Sequence, residues 1–344
     1  MIRVGIVGLG KIGEDHLNRL HNRISGMEVT AVYDIVENRG KDLIEKYNLT
    51  TARDFSSYQE LVQDDNVDLV VITAINQLHA EISIAAMNAG KYVFVEKPLA
   101  MTEEECIEVM RAEEKAGKRL LQVGFMRRYD PGYEKLKEYI TGGVIGKPLM
   151  AHCRHFNTYL SQPKNYVSEQ AIVETFIHEI EIMKWLLGEE YKTAKVYFPK
   201  RAEVTKEFNT PLQDPQVVVL ETESGVNIVT EVFVNAYGYD IHCDIVGELG
   251  MAQLPQVPSV TLSKGAKRSV DILTDWKERF IAAYDVEFQD IADRLNSGRE
   301  LAGPSTWDGY TAAVTSDACI KSQKTGKTEE IKLIEKPEFY KNFK

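Results

Sequence analysis

No apolar run in the 344 residues reaches the roughly 20 needed to cross a bilayer as a helix. The longest, residues 67–75, is broken by Asp68 and Thr73. Cysteine is scarce. Cys106, Cys153, Cys243 and Cys319 lie far apart and form no Cys-x-x-Cys pair, which argues against a disulfide framework or a cysteine zinc site. Dispersed thiols fit a reducing compartment. Positive charge is in deficit: 41 Lys and Arg against 52 Asp and Glu leave a net charge of −11. That balance argues against general affinity for nucleic acid or an anionic membrane, because both are bound largely through excess positive charge. Met1 runs directly into an apolar segment with no charged leader or small-residue cleavage site, so the expected address is cytoplasmic. Repeats, low-complexity tracts and long linkers are absent.

What is present is ordinary for a globular protein, with 44% apolar and 27% charged residues. The length suggests two domains. Up to about residue 142, short apolar strands alternate with helix-period segments: strands at 2–7, 28–33, 67–72, 91–95 and 120–123, with helices at 11–24, 77–89, 101–116 and 131–140 between them. Thr102 and Glu105 have the spacing of a capping box, and Gly90 that of a C-terminal cap. Continuous apolar strands separated by helices predict a parallel sheet covered on both faces. Beyond residue 148, one helical segment (168–187) precedes strand-like runs at 217–221, 226–234, 240–246, 252–254 and 259–262. Consecutive strands predict a second domain of α+β type with a mostly antiparallel open sheet. Helical stretches at 275–295 and 306–322 follow. The expected division is an α/β Rossmann domain at 1–125 and an α+β domain at 126–344, with the C-terminal helix free to pack back on the first.

Gly8-Leu9-Gly10-Lys11-Ile12-Gly13 is a Gly-x-Gly-x-x-Gly run between a buried strand and a helix, the context in which that motif carries weight. Gly8 permits the tight turn, Gly10 lets backbone approach a pyrophosphate, and Gly13 lets helix and strand close. The anion would rest on unpaired N–H groups at the helix N-terminus. Asp34 ends the second strand, where a carboxylate receives the adenosine ribose hydroxyls. It would repel a 2′-phosphate, and the next residue is Ile35, not Arg, so NAD is expected over NADP. Protein kinases also use such glycines, but no His-Arg-Asp or Asp-Phe-Gly follows. His178-Glu179 begins a zincin-like string, yet position 182 is Ile, so no metal is expected.

Ligands of an open parallel sheet collect at the carboxyl ends of its strands, which is where Glu96-Lys97-Pro98 falls. Position alone fits a substrate-reaching lysine and a solvated one equally well. Glu174 and His178 are four apart, so on a helix they share a face. A carboxylate there can orient an imidazole that accepts a proton near neutral pH. Spacing alone favours an ordinary surface pair or a satisfied core histidine.

Together, the glycine run, Glu96-Lys97-Pro98, Gly124-Phe125-Met126-Arg127-Arg128-Tyr129-Asp130, the His178-Glu179 helix, Tyr237-Gly238-Tyr239-Asp240 and Gly303-Pro304-Ser305-Thr306-Trp307-Asp308-Gly309-Tyr310 resemble the glucose–fructose oxidoreductase / inositol dehydrogenase (Gfo/Idh/MocA) family. The resemblance runs nearly end to end. It implies NAD-dependent oxidation of a cyclic polyol, myo-inositol to 2-keto-myo-inositol first. The same chemistry on scyllo- or chiro-inositol or a pyranose is the alternative, and a non-catalytic nucleotide-binding sensor is the alternative of another class. It implies Lys97, Glu174 and His178 as catalytic residues, with His178 taking the hydroxyl proton. Cofactor contacts would come from Gly8, Gly10, Lys11, Ile12, Gly13, Asp34, Asn76, His79, Glu96, Lys97 and Arg127. The polyol pocket would be lined by Lys97, Arg127, His155, Asn157, Glu174, Thr175, His178 and Tyr237. A homotetramer built through the second-domain sheet is implied as well.

The sequence departs from the family's usual pattern in places. Glu174 stands for the usual Asp, Glu181 for a second Asp beyond the histidine, and Ile75 where Pro often precedes the Asn of the fourth strand-to-helix turn. The loop 156–165 is longer than usual.

Overall fold

The computed structural model describes residues 1–158, 166–203, 210–257 and 259–341. The chain forms two compact units. The first holds Met1–Met126, Tyr284–Ala313 and Ile334–Lys344, and the second Arg127–Ala283 and Val314–Leu333. Tyr284–Ala313 thus belongs to the first unit, as does the C-terminal segment Ile334–Lys344.

In the first unit, β1 (Ile2–Val7), β2 (Met27–Tyr33), β3 (Arg53–Asp54), β4 (Leu69–Ile72), β5 (Tyr92–Glu96) and β6 (Leu121–Gly124) form a parallel sheet in the order β3-β2-β1-β4-β5-β6. This is the doubly wound dinucleotide-binding order, and the strand order reverses at β1 and β4. Val4, Ile6, Leu69, Val71 and Phe94 are buried with Leu17 and Leu20 of the helix Lys11–Asn22 and with Phe288 and Ile291. Burying each such side chain is worth roughly 1.5–3 kcal/mol. The strand Arg53–Asp54 and the helix Tyr58–Gln63 were not anticipated; two residues carry too little pattern to read.

The expected caps are present. Thr102 accepts from the Glu105 amide at 3.2 Å, and Glu105 accepts from the Thr102 amide at 3.2 Å, opening the helix Glu103–Ala116. Gly90 takes φ +75 after the helix His79–Asn88. Glu113 of the Glu103–Ala116 helix is fully buried. It accepts from the amides of Leu120 (2.9 Å) and Leu121 (2.8 Å), from Thr306 Oγ1 (2.5 Å) and from Tyr340 Oη (2.9 Å). Four donors satisfy both oxygens, as an interior carboxylate requires.

In the second unit, β7 (Pro148–Phe156), β8 (Tyr191–Tyr197), β9 (Gln216–Thr222), β10 (Asn227–Phe233), β11 (Asp240–Gly247), β12 (Met251–Gln253) and β15 (Glu329–Glu330) form one sheet ordered β12-β11-β7-β10-β9-β8-β15. Only β7 and β10 pair in parallel. A separate hairpin joins β13 (Thr261–Lys264) to β14 (Lys267–Val270). The strands β7, β8 and β14 were not anticipated, since charged residues interrupt their apolar alternation. On β7, Ala151, Cys153 and His155 point to the buried face, while His152, Arg154 and Phe156 sit half-exposed on the other. Residues 159–165, the greater part of the long loop, lie outside the described residues.

Candidate active site

The glycine turn behaves as its spacing predicts. Gly8 has φ +92, and a Cβ there would lie 2.5 Å from the Ala74 amide nitrogen on the neighbouring turn. A Cβ at Gly13 would collide with the Gly8 carbonyl oxygen and stand 2.7 Å from Thr73 Oγ1. At Gly10 the same atom would meet nothing within 4 Å. Gly8 and Gly13 are therefore required by packing, whereas Gly10 faces open space at the start of Lys11–Asn22, whose first turn has no side-chain cap. Asp34 closes the arrangement. Its Oδ2 accepts the Leu9 amide at 2.5 Å and its Oδ1 the Val36 amide at 2.8 Å. An open backbone turn, an uncapped helix start and this carboxylate fit a dinucleotide.

Asn76 opens the short 3₁₀ turn Asn76–Leu78 after β4. His79 is buried, with Nδ1 2.7 Å from the Pro98 carbonyl and Nε2 3.1 Å from the Ala74 carbonyl. It ties the fourth strand-to-helix turn to the cis Lys97–Pro98 peptide, and burial pushes its pKa down.

Glu96 is buried beside His16, which is wholly enclosed. His16 Nδ1 faces Arg19 Nη1 at 2.6 Å, and a guanidinium can only donate. The His16 proton therefore sits on Nε2 and is donated to Glu96 Oε1 at 2.8 Å. Burial lowers the His16 pKa against the pull of Glu96. Glu96 Oε2 accepts the Lys97 amide at 3.3 Å. Arg19 is held in turn by Asp15 (2.9 Å) and Asp285 (2.8 Å). Glu96 and His79 thus brace the turn that presents Lys97, which itself is half-buried.

In the second unit, Arg127 pairs with Glu179, whose other oxygen lies 2.8 Å from His155 Nδ1; Arg127 Nη2 is 3.1 Å from that same nitrogen. All three are buried. Burial favours the neutral form of the Glu179 carboxyl, but Arg127 and His155 outweigh it and hold its pKa below the ordinary value. Burial likewise opposes the Arg127 charge, and Glu179 overrides it. The His155 and His178 ring centroids are 6.3 Å apart, and Tyr239 stands edge-on to His155 at 5.9 Å. Asn157 Nδ2 donates to Thr175 Oγ1 at 3.3 Å. Tyr237 is exposed, stacks edge-on with Phe156 at 5.7 Å and donates to Asp240 at 2.9 Å.

The helix carrying Glu174 and His178 is not uniform. Residues expected to form one helix, 168–187, divide into Ser168–Gln170, a π-helical turn Ala171–Phe176 and the α-helix Ile177–Leu187. Glu174 and Thr175 lie in the wider turn, His178 in the α-helix. The simple shared-face argument is corrected accordingly: the turn between them holds more residues than an α-turn, a form frequent at functional sites. Glu174 is exposed and accepts from Gln170 Nε2 at 3.1 Å.

Of the anticipated pocket residues, His155 lies next to both Arg127 and His178, and Asn157 and Thr175 meet each other. Sequence reading missed Glu179, the carboxylate that organises the cluster. Its place next to His178 was the available signal, considered only for a zinc motif. His16 and Tyr239 were also missed. Among the described residues, no group of three or more His, Cys, Asp or Glu is placed to hold a metal ion, and no helix is long and apolar enough to cross a membrane.

Residues 2–125 match the NAD-binding Rossmann domain of the Gfo/Idh/MocA oxidoreductase family, and residues 137–333 match its C-terminal alpha/beta domain. The chain belongs to this family. As a Gfo/Idh/MocA protein it is an NAD-dependent oxidoreductase, and its two folds are those the sequence predicts. It is 57% identical over 341 residues, 99% of each chain, to the inositol 2-dehydrogenase of Salmonella typhimurium. It is 47% identical over 340 residues to the inositol 2-dehydrogenase/D-chiro-inositol 3-dehydrogenase of Lactiplantibacillus plantarum, covering 98% of this chain and 96% of that one. Among solved structures it resembles myo-inositol dehydrogenase from Lactobacillus casei in complex with NAD(H) and myo-inositol. The TM-score is 0.95 at 36% identity, covering 99% of both chains.

Proposed function

We propose that the protein is an inositol 2-dehydrogenase that oxidises myo-inositol to 2-keto-myo-inositol. The observation that carries the reading is His178, a helix-borne imidazole whose ring stands 6.3 Å from that of His155, beside a buried ion cluster. NAD, held by Gly8–Gly13 backbone and Asp34, supplies the hydride acceptor when bound. His178 accepts the hydroxyl proton as the C–H bond of the same carbon breaks, Lys97 holds the reacting oxygen, and Glu174, on the wider turn before His178, is the acid that accompanies it. His155 Nδ1 lies between Glu179 Oε2 at 2.8 Å, which accepts, and Arg127 Nη2 at 3.1 Å, which donates, so the buried pair holds the ring in place beside His178. Asn157, Thr175, Tyr237 and Arg127 complete a polar lining, which discrimination among hydroxyls requires.

Glu174 keeps a second reading open: D-chiro-inositol, scyllo-inositol or a pyranose as the preferred substrate. The extra methylene moves the carboxylate, and a relative carries the D-chiro-inositol activity in its name. Steady-state kinetics with a panel of inositol stereoisomers and pyranoses, using NAD and NADP side by side, tests both. The highest kcat/KM on myo-inositol supports the first reading, and preference for another polyol replaces it with the second. Binding of NAD without turnover of any polyol would overturn both.

The same proposal includes a homotetramer joined through the half-exposed sheet face that bears Phe156, Val229 and Phe233. It also includes a cytoplasmic location, which four buried and unbridged cysteines support.

A further inference from the structure

One peptide of the glycine turn is held at both ends. The Leu9 amide donates to Asp34 Oδ2 at 2.5 Å, and the Leu9 carbonyl accepts from Arg39 Nε at 3.0 Å. Arg39 is the first residue of the helix Arg39–Tyr47, and Asn38 before it has a left-handed backbone, φ 64. The turn after β2 thereby brings a guanidinium back to the carboxylate that ends the strand, with one residue between them as a bridge. Sequence inspection found no arginine beside Asp34, because the fold delivers one from five positions on.

The same guanidinium is also held by Glu14. Nη2 pairs with Glu14 Oε2 at 2.6 Å. Glu14 also takes Lys46 Nζ at 2.6 Å and Tyr47 Oη at 3.1 Å on its other oxygen. Nη1 of Arg39 has no partner among the described residues, and the side chain is 32% exposed. A planar guanidinium fork with an open edge is the group best matched to a phosphate.

We propose that Arg39 is a latent ligand for the 2′-phosphate of NADP, restrained by Glu14, and that Asp34, Arg39 and Glu14 together set the dinucleotide preference. This rests on the reading of Asp34 as the ribose ligand. Asp34 repels the extra phosphate and dominates, because it is the group that receives the ribose hydroxyls. Arg39 partly offsets it. The carboxylate of Glu14 draws the guanidinium away and tilts the balance further to NAD.

The test is equilibrium binding of NAD and of NADP to the whole protein without polyol, followed by intrinsic fluorescence, with thermal melting of every variant. Asp34→Ser raises the ratio of NADP to NAD affinity by about 100-fold, and adding Arg39→Ala removes at least roughly tenfold of that gain. Asp34→Ser with Arg39→Lys falls between, since the charge remains and the fork is lost; this pair carries the test if the alanine variant melts early. Asp34→Ser with Glu14→Gln binds NADP more tightly still. Equal NADP affinity in Asp34→Ser and in both of its Arg39 partners would overturn the proposal while leaving the NAD assignment intact. Wild-type protein that binds neither dinucleotide would overturn both.

Discussion

The guanidinium of Arg127 and the carboxylate of Glu179 meet inside the second unit, with side chains 1% and 3% exposed. Removing one member of a buried pair leaves an uncompensated charge and costs about 3–5 kcal/mol. Glu179→Gln is therefore expected to lower the unfolding free energy of the second unit, read from urea titration, by that amount. A loss under about 1 kcal/mol would show that His155 and Tyr239 suffice to hold Arg127.

Catalysis is expected to fail where NAD binding does not. Lys97→Ala and His178→Ala each lower kcat by about 10²–10⁴, the usual contribution of a positioned proton-transfer group. Binding of NAD, measured separately, changes little in His178→Ala and falls by far less than kcat in Lys97→Ala. Full turnover in either variant would remove that residue from the reaction.

Glu174→Asp restores the acid the family usually carries. The variant is expected to remain active on myo-inositol. Complete loss of turnover would mean that the π-helical turn and the longer acid have been fitted to each other.

The two glycines Gly10 and Gly13 separate binding from folding. Gly10→Ala adds its methyl to open space, so the melting temperature holds while NAD affinity drops at least about tenfold, or ~1.4 kcal/mol. Gly13→Ala drives a methyl into the Gly8 carbonyl and lowers the melting temperature itself. Identical behaviour of the two would contradict the assignment of Gly10 to the ligand.

Asp214 gives the second unit a defined acid response. Burial pushes its carboxyl from 3.8 up to about 6, although it accepts the amides of Val234 and Asn235 at 3.0 and 3.2 Å. The folded state binds this proton more tightly than the unfolded state. Its contribution is thus complete below about pH 3.8 and is lost as pH rises through 6. Unfolding titrations between pH 4 and 7 should show that decline in the wild type and a flatter profile in Asp214→Asn.

Legibility in the sequence followed range. The glycine turn, Asp34 and the Thr102–Glu105 cap are settled within one or two elements, and each stands where the spacing puts it. The Arg127–Glu179–His155 cluster joins a 3₁₀ turn, a helix and a sheet strand, so no local pattern announces it. The π-helical turn at Ala171–Phe176 has no compositional mark, and β7 was hidden because its outward residues include His152 and Arg154. The string Gly303–Tyr310 could be matched to a family but not explained. In the fold, Gly309 passes within 2.8 Å of Leu99 Cβ, measured from the Cβ it lacks, and Gly303 lies against Gln122.

Glu113 carries a consequence for biosynthesis. Two of its four donors, Leu120 and Leu121, emerge from the ribosome almost with it, but Thr306 and Tyr340 follow some two hundred residues later. The nucleotide-binding half, first to be translated, is therefore among the last parts to be completed. Until then one oxygen of the Glu113 carboxylate lacks both of its donors.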